Sequence, residues 1–208
     1  MLYKIFVFKL TSRYNKYEVR FMNYIGKEID DFKVKAFQNG ETIDVTKEDM
    51  LGHWSILLFY PADFSFICPT ELEALQGLYD QFKNAGAEVY SCSEDTEFVH
   101  KAWTDASPEI AKIQYPMLAD PAGKLARAFD VLDEESGQAY RGVFIIDPDG
   151  VIQSYTVNNM SIGRSADEML RTLEAAQFVR EHGDQVCPVN WKPGDKTLKP
   201  GMDLVGKL

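Results

Sequence analysis

From residue 31 onward, short apolar runs alternate with segments whose apolar residues recur every three or four positions. That alternation predicts strands interleaved with amphipathic helices in an α/β or α+β domain. Residues 32–37 alternate apolar and polar, and Asn39-Gly40 follows as a hairpin signal leading into a strand over 42–45. Residues 55–60 (SILLFY) are continuously apolar, as expected of a central strand covered on both faces. Leu72, Leu75, Tyr79 and Phe82 predict one helix over 69–85, ended by Asn84 and Gly86. Residues 88–91 read as a strand, and 96–106 as a helix with Asp95 as its N-cap. A short strand over 115–118 and a short helix over 123–129 come next. Pro148-Asp149-Gly150 marks a turn between antiparallel strands at 142–146 and 151–157. The last helix spans 166–181 and stops at Gly183.

Beyond that helix the tail CPVNWKPGDKTLKPGMDLVGKL is rich in Pro and Gly, which predicts an extended arm and not a core element. Trp191 in this arm needs something to pack against, and a partner subunit is the candidate. The chain thus divides into an N-terminal extension (1–21), a main domain (22–180) and a C-terminal arm (181–208). Residues 1–21 carry Lys4, Lys9, Arg13, Lys16 and Arg20 against Glu18 alone. Lys9 cuts the apolar run at 5–8 and no small-residue cleavage site follows, which excludes a secretory signal. We read the extension as a non-native or misassigned start, with Met22 as the first native residue. A mitochondrial-type targeting segment is the alternative on composition.

With 208 residues, 45% hydrophobic and 26% charged, the chain can bury a substantial core without disulfides. Its net charge of -10 and the lack of a basic stripe argue against nucleic acid, and no stretch reaches the length of a membrane span. Only Cys68, Cys92 and Cys187 are present, an odd and sparse set that speaks for a reducing cytoplasm. His53, His100 and His182 have no metal-ligand spacing.

Cys68 lies where the central strand gives way to the first long helix. Pro69 suits the first helical position, so the sulfur is expected at a helix N-terminus, where free N–H groups and the macrodipole favour an anion. An ordinary thiol is only about 3% ionised at neutral pH. Raising that to about nine-tenths takes roughly 3.4 kcal/mol. The helix end supplies about 0.3–1 kcal/mol, or about 2 when partly buried, so a cation or hydroxyl donors must supply the rest. Ser65, three residues before the sulfur, is one such donor. Glu71 occupies the position three after Cys68, which excludes a CxxC dithiol. On spacing alone, a catalytic thiol and a buried helix-start cysteine without a role both stay open.

The segment Pro61-Ala62-Asp63-Phe64-Ser65-Phe66-Ile67-Cys68-Pro69-Thr70-Glu71 closely resembles the peroxidatic-cysteine motif of the typical two-cysteine peroxiredoxins. In that motif a proline is followed four residues later by threonine or serine and three further on by cysteine. VCPVNWKPG around Cys187 resembles the resolving-cysteine segment of the same family, and MDLVGKL resembles the ending of its bacterial branch. The resemblance runs over residues 22 to 208. It implies a thioredoxin-like α/β fold, with a central mixed sheet flanked by helices and an extended C-terminal arm. It also implies a thiol-dependent peroxidase that reduces hydrogen peroxide and organic hydroperoxides to water and alcohols, without metal, haem or flavin.

Residue by residue, the resemblance implies that Cys68 attacks the hydroperoxide and becomes a sulfenic acid. Pro61 shields the pocket, and Ser65, where threonine is usual, bonds the peroxide and the sulfur. Arg141 in YRGVFIID stabilises the thiolate, while Glu71 and Arg164 in IGRS form a supporting ion pair. Read without the family, Arg141 opens a core strand, a costly place for a permanent charge unless an anion faces it. Arg164, in a loop before a helix, reads simply as solvated.

Cys187 is implied to close a disulfide with Cys68 of a second subunit, twice per homodimer, and five dimers to form a decamer with Thr96 and Phe64 near the dimer–dimer contact. The implied electron donor is a separate disulfide reductase, either a flavoprotein F subunit or thioredoxin. Cys92 reads as a packed thiol, and Trp103 as part of the pocket wall. Easily overoxidised members carry a Gly-Gly-Leu-Gly loop and a C-terminal helix with a Tyr-Phe pair. Residues 107–115 hold no such glycines and the sequence ends at Leu208, so the expectation is resistance to overoxidation. Two other classes compete: a chaperone built from the same ring, and a thioredoxin-like binding module with inert thiols.

Overall fold

The computed structural model describes residues 23–207; the expectations for residues 1–21 therefore lie outside it. The alternating run forms β1 (Lys33–Gln38), paired antiparallel with β2 (Glu41–Thr46). Asn39 and Gly40 join them with φ of 50° and 87°, the left-handed pair that a two-residue turn between twisted strands requires. The apolar run becomes β3 (Trp54–Phe59), buried along its whole length. Ile56 and Leu58 point into one core cluster, Leu57 and Phe59 into another on the opposite face.

After β3 the single helix expected over 69–85 is two: α1 (Cys68–Gly77) and α2 (Tyr79–Asn84). The break falls at Leu78, whose N–H turns to Leu75 O and whose ψ is 5°. Gly77 just before it has the weakest helix propensity after proline, so the apolar period continues while the backbone does not. β4 (Ala87–Ser93) precedes α3 (Glu97–Ala106), and the N-cap is Thr96, not Asp95. The Thr96 hydroxyl accepts from Val99 N–H at 3.4 Å, because the Asp95 carboxylate is occupied elsewhere, by Ser93 and Asp63.

β5 (Met117–Ala119) and α4 (Lys124–Ala128) follow, then a small hairpin the sequence pattern did not signal, β6 (Leu132–Asp133) with β7 (Gln138–Ala139). β8 (Arg141–Ile146) and β9 (Ile152–Asn158) are antiparallel around Asp147–Gly150, and α5 (Ala166–Glu181) has the limits expected. The main sheet runs β2-β1-β5-β4-β3-β8-β9, with β3, β4 and β5 mutually parallel and the outer strands antiparallel. It is a mixed, thioredoxin-like sheet. α1, α2 and α5 cover one face through Leu72, Leu75, Phe82, Met169 and Leu173, and α4 covers the other through Leu125, together with the Phe129 that follows it.

The C-terminal arm has little regular structure, yet it is docked. Val186 and Leu198 form a lone bridge, and Trp191 is buried against Phe178 of α5 in its own chain, ring centres 4.9 Å apart. The packing partner that Trp191 needs is found within its own chain. Among the described residues, no helix is long and apolar enough to cross a membrane.

Candidate active site

The parallel strand β3 ends at Phe59, and the loop 60–67 carries the chain across the end of the sheet to α1. Cys68 is the first residue of α1, with Pro69 second, so the sulfur sits at the helix N-terminus as expected. Cys68 is fully buried and belongs to the core cluster of α1 and α5.

The first residue of β8, Arg141, reaches this sulfur from the neighbouring strand. Its Nη1 lies 3.4 Å from Cys68 Sγ and 2.6 Å from Glu71 Oε2, while its Nε donates to Met160 O at 2.6 Å. Glu71, one turn into α1, is the hub. It also accepts from Arg164 through the backbone N–H and Nε on Oε1, both 2.8 Å, and through Nη2 on Oε2 at 3.0 Å. Arg164 further donates to Gly142 O. Its side chain is 3% exposed, so the solvated arginine read from its loop position is corrected: the carboxylate drawn in from α1 makes its burial affordable.

Burial alone pushes the Glu71 carboxyl up, but the hydrogen bonds and charge of Arg164, with the charge of Arg141, hold it below the usual carboxylate range. Burial, joined by the charge of Arg141, pulls Arg164 below its ordinary value, while Glu71 and Cys68 work against that. The cluster holds two guanidinium cations and one carboxylate. It therefore carries one uncompensated positive charge in a buried place beside the Cys68 sulfur.

Pro61 is buried at the start of the loop. The Ser65 hydroxyl donates to Ala62 O at 2.7 Å, which leaves its oxygen lone pairs for an incoming O–H. The loop is anchored from behind by a buried chain that no linear motif reveals. Tyr60 donates its hydroxyl to Asp63 Oδ1 at 2.7 Å, and Asp63 Oδ2 meets His100 Nδ1 at 2.7 Å. His100 Nε2 faces Leu118 O at 3.1 Å, and the Asp63 N–H donates to Asp95 at 2.8 Å. Phe64 takes a positive φ of 54° and its ring meets that of Trp103, centres 5.9 Å apart, which sets Trp103 beside the loop. Phe64 and Phe66 of the loop stay exposed, as does Phe98 of α3.

The other two thiols lie elsewhere. Cys92 is buried on β4 in the opposite core cluster, and burial, then Asp120 and Glu94, pushes its thiol well up. Cys187 is partly exposed in the arm, 3.9 Å from Ala175 O of α5, and burial raises it against the charge of Arg171. All three cysteines are free thiols in the single chain. Among the described residues, no group of three His, Cys, Asp or Glu side chains is placed to hold a metal.

Residues 25–155 match the model of the AhpC/TSA family, and residues 175–205 match the C-terminal domain of 1-Cys peroxiredoxin, a segment that in this chain contains Cys187. The curated alkyl hydroperoxide reductase C of Bacillus subtilis is 57% identical over 187 residues, covering 90% of this chain and all of that one. The protein of the same name from Staphylococcus saprophyticus is 54% identical over 189 residues, with the same coverage. Among solved structures, the crystal structure of Enterococcus faecalis AhpC is 58% identical, with a TM-score of 0.79, over 80% of this chain and all of that one. The reduced 2-Cys peroxiredoxin of Plasmodium vivax is 34% identical, with a TM-score of 0.83, over 88% of this chain and 96% of that one.

Proposed function

We propose a two-cysteine catalytic cycle for this chain, which belongs to the AhpC/TSA family and is a thiol-dependent peroxidase. Cys68, as thiolate, attacks the terminal oxygen of a hydroperoxide, ROOH. The O–O bond breaks, Cys68 becomes a sulfenic acid, and the alkoxide leaves with a proton as ROH. Cys187 of a second subunit then displaces hydroxide from the sulfenic sulfur, which departs as water, and a Cys68–Cys187 disulfide remains. A dithiol reductase, either a flavoprotein F subunit or thioredoxin, returns both thiols and takes up the disulfide.

The observation that carries this reading is Arg141, which touches the Cys68 sulfur and Glu71 with one nitrogen inside a buried cluster short of one negative charge. In the attack, the charge moves from sulfur to the departing oxygen, and a guanidinium beside the sulfur follows it without reorganising. Ser65 orients the peroxide, Pro61 keeps solvent from the sulfur, and Glu71 with Arg164 fixes the angle of Arg141.

Assembly fits the exposed surface. β9 is an edge strand with Val157 exposed, and Phe64 and Phe66 of the loop and Phe98 of α3 are exposed apolar side chains. A homodimer joined through the first and a decamer of five dimers joined through the second would cover both. Three unpaired cysteines suit a reducing cytoplasm. Replacing Cys68 with Ser tests the reading: peroxide consumption must vanish, and a Cys68→Ser variant that still consumes peroxide at the wild-type rate overturns it.

A further inference from the structure

Glu94 follows β4 at the end of the sheet that holds the site, and none of the steps above uses it. Its Oε2 accepts the N–H of Ala139 at 2.8 Å. Its Oε1 is buried and has no hydrogen-bond partner among the described residues. The charged and titratable groups around it are Asp95 in the following loop, Asp120 at the end of β5 and Cys92 on β4. Arg127 of α4, whose charge acts on Asp120, spends its donors on Glu134 and the carbonyls of Ala122 and Gly123. A carboxylate oxygen buried without a donor and flanked by two further carboxylates is expensive, and a neutral acid in the same place is not. Accordingly burial first, then Asp120 and Asp95, push the Glu94 carboxyl up to about 7, against the pull of the Ala139 N–H and its own N–H.

Both sides of the candidate site hang from this corner. On one side Ala139 closes the β6–β7 hairpin and leads within two residues to Arg141. Tyr140 N–H to Val131 O at 2.7 Å closes the base of the hairpin, and Val131, whose Cγ1 lies only 2.7 Å from where a Cβ on Gly142 would be, packs it against β8. On the other side Asp95, adjacent to Glu94, holds the Asp63 N–H of the loop that carries Pro61 and Ser65. Asp120 spends its oxygens on the Lys124 and Ala126 N–H groups at the start of α4. Ionised Glu94 would repel both neighbours while they hold these anchors.

We infer that Glu94 is a positioning residue of the peroxidase reaction: as a neutral acid it seats the β6–β7 hairpin and with it Arg141, and its ionisation slackens that seat. The inference rests on the role given to Arg141 above. Because the carboxyl of the folded chain keeps its proton to higher pH than that of the unfolded chain, its contribution to stability is complete below the ordinary carboxylate range and is lost as pH rises from there through about 7, while in the folded chain itself the acid stays neutral at mildly acidic pH.

The test compares the full chain, Glu94→Gln and Glu94→Ala in stopped-flow consumption of hydrogen peroxide between pH 5.5 and 8.5. Gln keeps an acceptor for Ala139 and cannot ionise. The ratio of the Glu94→Gln to the wild-type rate constant should be about 1 at pH 5.5 and should climb to about 5 at pH 8.5, a difference of about 1 kcal/mol in barrier. Glu94→Ala, which strips the acceptor, should be slower than both across the range, and Glu94→Gln alone carries the test if the alanine variant does not fold. A ratio that is flat with pH overturns the inference, even if melting temperatures shift, since stability alone would then be at stake. That outcome leaves the Cys68 reading intact, because the latter stands or falls with Cys68→Ser.

Discussion

Arg141 donates from a single nitrogen to the Cys68 sulfur at 3.4 Å and to the Glu71 carboxylate at 2.6 Å. The carboxylate is the nearer partner, so it fixes the guanidinium, and the sulfur receives a donor that is already aimed. Function and stability are thereby placed on separable residues of one cluster.

Arg141→Gln should cut the second-order rate of peroxide consumption by roughly 10- to 150-fold, the value of about 1.5–3 kcal/mol for a hydrogen bond to a charged group. The fold should persist, because Glu71 keeps Arg164 as a partner. Iodoacetamide alkylation of Cys68 should slow in parallel. A variant that loses peroxide turnover but alkylates at the wild-type rate would show that Arg141 acts on the substrate alone.

Glu71→Gln should behave differently. It takes from two buried guanidinium groups the carboxylate they share, and breaking such a pair costs about 3–5 kcal/mol. Because the Glu71 carboxyl is held below its ordinary range, its stabilisation is present above that range and disappears as pH falls through and below it. Urea unfolding from pH 7 down to pH 3 should show a steep acid loss in the wild type and a shallower one in Glu71→Gln. Equal slopes would remove Glu71 from the account of acid stability.

Trp191→Ala should free the arm that holds Cys187. The indole is buried on Phe178, donates to Asp195 O at 3.2 Å, and its own carbonyl receives Arg171 at 3.3 Å. Hydrogen exchange at Val186 and Leu198, whose N–H groups bond each other's carbonyls, should accelerate in the variant. The wild type should already stay active through low millimolar peroxide, and Trp191→Ala should accumulate still less sulfinic acid, because disulfide formation competes with the second oxidation. Unchanged exchange in the variant would mean that the arm is held by other contacts.

Much of this fold could be read directly along the chain, and the exceptions have physical causes. β3 was legible because a strand buried on both faces cannot alternate, and α5 because Gly183 follows its end. The split between α1 and α2 was hidden, since the apolar residues keep helical spacing across Gly77 and Leu78. β6 and β7 are two residues each, too short to show any period. In the site, Cys68 declared itself through Pro69 and the surrounding motif. Arg164 came only through the resemblance of IGRS, because its partner Glu71 lies 93 residues away, and His100, which meets Asp63 across 37 residues, did not declare itself at all. Burial of such pairs is a property of the assembled sheet end, not of any window of sequence.

The central claim is that Cys68 and Cys187 form the redox pair and Cys92 does not. The most direct measurement is non-reducing electrophoresis with peptide mapping after one equivalent of hydrogen peroxide. The account predicts a band at dimer mass containing a Cys68–Cys187 disulfide, its loss in Cys187→Ser, and no change in Cys92→Ala, whose thiol is buried and held protonated. A monomeric band in the oxidised wild type, or a disulfide that includes Cys92, would contradict it.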